Sequence, residues 1–88
     1  MKKMHFQKQI QFSKNIKAGG HLKEFNFLKL NNEASPTYYV DVSDERGRRH
    51  QFLLSNDGSE WKILGEGIPI WITQAESLLV DAVNNEPF

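Results

Sequence analysis

Cysteine is missing from the 88 residues. That excludes disulfides, thiolate metal sites and cysteine catalysis, and it makes a reducing, cytoplasmic setting the default expectation. No apolar run approaches the roughly 18–20 residues of a membrane span, so no membrane partner is expected. The opening Met1-Lys2-Lys3-Met4 leads into His5, Gln7, Lys8, Gln9 and Gln11, where a secretory signal would need an unbroken apolar stretch. Net charge is missing as well: 11 basic residues balance 11 acidic ones. A generic polyanion binder usually carries a basic excess, and this chain has none. The balance hides a division, however. Residues 1–32 carry seven Lys against Glu24 alone, a net +6, and residues 33–88 carry four cations against ten acids, a net −6.

What is present is enough apolar bulk to fold. Six Phe, two Trp and two Tyr stand in a chain that is 39% hydrophobic, which argues against disorder. The length suits a single domain over residues 1–88, since two independent cores would each be too small. Turn chemistry punctuates the chain at Asn15–Gly20, Asn31–Pro36, Asp44–Gly47 and Ser55–Ser59. Between these turns, apolar and polar residues alternate with the period of half-buried strands.

The expected fold is α+β: a five-stranded antiparallel meander with one C-terminal helix packed on one face. The strands are placed at about 5–12, 21–30, 37–43, 48–54 and 60–64, and the helix at about 73–84. Pairing by turn midpoints sets Phe12 near His21 and His5 near Leu28. It also lines up Phe6, Phe27, Val40, Phe52 and Trp61 in one row beneath the helix. Thr73-Gln74-Ala75-Glu76 has the spacing of a capping box, in which Thr73 would cap the helix. Ala75, Leu78, Leu79, Ala82 and Val83 would form its buried stripe, and Pro87 would follow its end. Pro69 makes the stretch from Gly65 to Ile72 a crossover loop or a short edge strand.

No motif for chemistry is found. His5, His21 and His50 are the only imidazoles, and the first two are too far apart on the expected ladder to share a metal. Asn56-Asp57-Gly58 reads as a hairpin turn and not a calcium loop. Gly65-Glu66-Gly67 does not open a helix directly, as a phosphate loop would. Asp41, Asp44 and Glu45 are close in sequence without an acceptor pocket to work on. No catalytic residue, cofactor or metal ligand is assigned, and an enzyme is not expected.

Two binding surfaces are. Leu28, Tyr39 and Leu53 fall on the face opposite the helix and are candidate contacts for a protein partner or a second copy in a homodimer. The alternative is a module for single-stranded nucleic acid that uses Arg46, Arg48, Arg49 and His50, the one dense basic run, near Tyr38 and Tyr39. Tyr38-Tyr39-Val40-Asp41-Val42 with the basic turn after it resembles the strand–turn of PUR-type and related single-strand-binding domains, which are also sheet-then-helix. The resemblance implies phosphate contacts from the arginines and base stacking on the tyrosines. The chain departs from it in having two extra strands upstream and Asp44-Glu45 beside the arginines, where they would pair locally with Arg46 and Arg48.

Overall fold

The structure, a computed structural model, describes residues 11–30 and 35–85. Five strands run β1 Gln11–Ala18, β2 His21–Leu30, β3 Thr37–Ser43, β4 Arg49–Asn56 and β5 Trp61–Leu64. They form one antiparallel sheet in sequential order. Two helical segments follow, α1 Ile70–Thr73 and α2 Glu76–Asn84. The fold is the small α+β meander that the alternating pattern and the late change of period predict.

The first hairpin differs from its predicted register. Residues 5–10, with His5 and Phe6, lie outside the described residues. Lys14 to Ala18, expected largely as turn, is strand, and Gly19-Gly20 alone makes the reversal. Both glycines have positive φ, +64° and +83°, as a two-residue loop matched to strand twist requires. Ala18 therefore faces His21, and Phe12 faces Phe27 where His21 was expected. The slip is six residues, an even number, so no side chain changes face. At the other edge Trp61 pairs with Asn56 and not with Phe52, an even slip of four residues. The predicted row keeps Phe27, Val40 and Phe52 and gains Phe12.

The core lies between this sheet face and the helices. Phe25, Phe27, Val40, Val42 and Leu54 are buried there, under Ile72 of α1 and Leu79 of α2. Burying such a side chain contributes roughly 1.5–3 kcal/mol. That is a large share of a small domain's margin of about 5–15 kcal/mol. Phe12 stacks on Phe27 at 4.5 Å, and Tyr38 meets both rings edge-on. Trp61 continues the aromatic run beside Tyr38 and donates its indole N–H to Asn84 Oδ1. It is half-buried at the edge of the core and does not lie in its central row.

The C-terminal expectation needs three corrections. Thr73 does not cap α2: it closes α1, and its hydroxyl donates to the Ile70 carbonyl. Ala75 takes the N-cap position of α2 with no side-chain cap. Glu76 accepts the outward-facing N–H of Ile63 at 3.3 Å and so covers the edge of β5. Leu78 is 45% exposed, and the buried stripe is Ala75, Leu79, Ala82 and Val83.

Candidate interaction face

Helices cover one side of the sheet and, among the described residues, nothing covers the other. The strand period decides what that open side carries. Residues opposite in parity to Phe27, Val40 and Phe52 point into it, among them Leu28, Tyr39 and Leu53. The register sets these three side by side: Leu28 pairs with Tyr39, and Tyr39 with Leu53. Leu53 pairs with Leu64, so the apolar row crosses four strands. Leu64 is 49% exposed, whereas Leu28, Tyr39 and Leu53 are half-buried. Leu64 and Leu30 were not singled out from the sequence. Both have the right parity, and the cross-strand register is the signal that would have added them.

A polar row lies one step along the strands. The Ser13 hydroxyl donates to Asn26 Oδ1 at 2.6 Å, and Asn26 Nδ2 donates to Asp41 Oδ1 at 2.9 Å. Arg49 completes the chain with a 3.0 Å ion pair to the other Asp41 oxygen. Asp41 beside it raises the guanidinium's pKa further above its ordinary value. The two rows border an open cleft of about 570 Å³ that includes Gln11, Leu28, Tyr39 and Arg49. These partners satisfy one another, so the polar row positions side chains and leaves no reactive group poised.

The basic hairpin is divided by the same geometry. Arg49 points to the open face, and His50, the next residue, points to the helix side. There His50 Nε2 lies 3.1 Å from Asp44 Oδ2 and its ring meets Trp71 edge-on at 5.4 Å. Tyr38 and Tyr39 also part, Tyr38 into the core and only Tyr39 onto the face of Arg49. Tyr39 and Arg49 stand four residues apart along the ladder, roughly 13 Å. Arg49 and His50, two of the four candidate phosphate contacts, therefore point to opposite faces of the sheet.

The two acids beside them hold other partners than expected. Asp44 Oδ1 accepts the backbone N–H groups of Arg46 and Arg48, each at 2.9 Å, which shapes the turn. The His50 hydrogen bond and the Arg48 N–H hold its pKa below the ordinary value. Glu45 reaches across to Lys23 at 3.0 Å, which lowers its pKa too. Lys23 is itself buried, bonded to the Ala18 carbonyl and lying over the Trp71 ring. Arg46 and Arg48 make no ion pair among the described residues.

The remaining chemical candidates are accounted for locally. Asp41, Asp44 and Glu45 each engage a different side chain, Arg49, His50 and Lys23, so they form no carboxylate pair. Among the described residues no group of three His, Asp or Glu side chains could hold a metal ion. Asp57 caps its own turn through the N–H groups of Ser59 and Glu60. Gly65 and Gly67 form the loop into α1, closed by Ile68 packing back on Gly65. No family model, no curated protein and no solved structure matches the chain.

Proposed function

We propose that this protein is a non-enzymatic interaction module that associates with a copy of itself through the open face of its sheet. The observation that carries the reading is the apolar row from Leu28 through Tyr39 and Leu53 to Leu64, in register on the side the helices leave bare. Apolar surface of this kind on an uncovered sheet is unfavourable in water, and covering it lowers the free energy. Tyr39 is a suitable anchor, large and with few rotors to immobilise. A cysteine-free chain suits a reducing, cytoplasmic setting. Among the described residues no helix is long and apolar enough to cross a membrane.

Sedimentation over a wide concentration range, beside titration with a labelled single strand at several salt concentrations, tests this. The expected result is a mass that rises with concentration and no polynucleotide binding. A constant monomer mass, with binding that weakens steeply in salt and disappears when Arg46, Arg48 and Arg49 are all changed to Ser, would transfer the function to the basic hairpin.

A further inference from the structure

We draw no further inference here: the strongest candidate, the groove of about 250 Å³ between the edge strand β1 and α2 that Ile16, Leu78 and Ala82 line, carries charges of both signs in Lys14, Lys17 and Asp81, and nothing in the structure shows what covers it.

Discussion

Gly19 and Gly20 are neighbours in one two-residue turn, yet their surroundings differ. Both have left-handed φ, which costs a residue with a Cβ about 1–2 kcal/mol. A Cβ on Gly19 would also stand 3.1 Å from the Trp71 Cβ and 3.4 Å from the Lys23 ammonium. A Cβ on Gly20 would meet nothing within 4 Å. Gly19→Ala should therefore cost about 2 kcal/mol or more, and Gly20→Ala about 1. Denaturant midpoints would read the difference, and equal losses would mean that the turn does not pack on α1. The glycine pair was visible in the sequence as a turn. Its length was not: Asn15 favours turns, and the loop expected over 13–20 is six residues longer than the observed one. Ile16 and Ala18, both buried, and Lys17, exposed, already carried the alternation of a strand running up to the glycines.

At the level of elements, the motif before α2 shows how one spacing serves two geometries. Thr-x-x-Glu predicts a reciprocal cap, and that reading depends only on residues within four positions of one another. The long-range contact that decides the matter cannot be seen at that distance. Ile72 is fully buried, which draws residues 70–73 into a separate helical turn and uses the Thr73 hydroxyl within it. Glu76 is thereby released to cover the Ile63 N–H on an edge strand of only four residues. Thr73→Ala should accordingly change stability by less than about 0.5 kcal/mol, as a surface substitution does, and not by the roughly 1 kcal/mol of a lost cap. Glu76→Ala should cost about 1 kcal/mol by leaving that donor unpaired, while Glu76→Gln keeps the acceptor and most of the stability. Faster amide exchange at Ile63 in Glu76→Ala alone would locate the effect; unchanged exchange would refute it. Elements carried by period alone fared better. The range of β3 matches the alternation directly, β2 keeps its expected range with apolar residues on both faces, and the differences in β1 and β5 pairing are even slips that leave every described face intact. That is why Leu28, Tyr39 and Leu53 could be assigned to one face before their register was known. The partners of Asp44 and Glu45 could not be, since they are set by which hairpin ends meet in space.

In the whole molecule those two acids tie one end of the sheet together. Glu45 links the β3–β4 turn to Lys23 on β2, and Asp44 holds His50 against Trp71. Lys23 also lies over Trp71, so two hairpin ends and α1 share one cluster of charge and indole. His21, 3.8 Å from Glu45, stands at its rim. Both carboxyls have pKa values lowered by these partners, from ordinary values of 3.8 for Asp44 and 4.5 for Glu45. A carboxyl depressed in the folded state binds fewer protons there than in the unfolded chain. Its contribution is complete above the ordinary value and is lost as the pH falls through the folded one. The contribution of the two carboxyls should thus weaken only below about pH 4.5, where the unfolded chain begins to take up protons first. Asp57, lowered by the N–H groups of its own turn, titrates in the same range but touches no other element. Its effect is therefore separable from that of the cluster. A chain carrying Asp44→Asn and Glu45→Gln together should have a lower denaturant midpoint than the wild type at neutral pH and a shallower decline in acid, so that the two curves approach each other as the pH drops. Asp57→Asn should leave the tryptophan emission at neutral pH unchanged, whereas the double variant should shift it, because Trp71 loses the lysine and histidine held against it. Parallel acid curves for the wild type and the double variant would show that the sheet end is held by its apolar packing, with the ion pairs as bystanders.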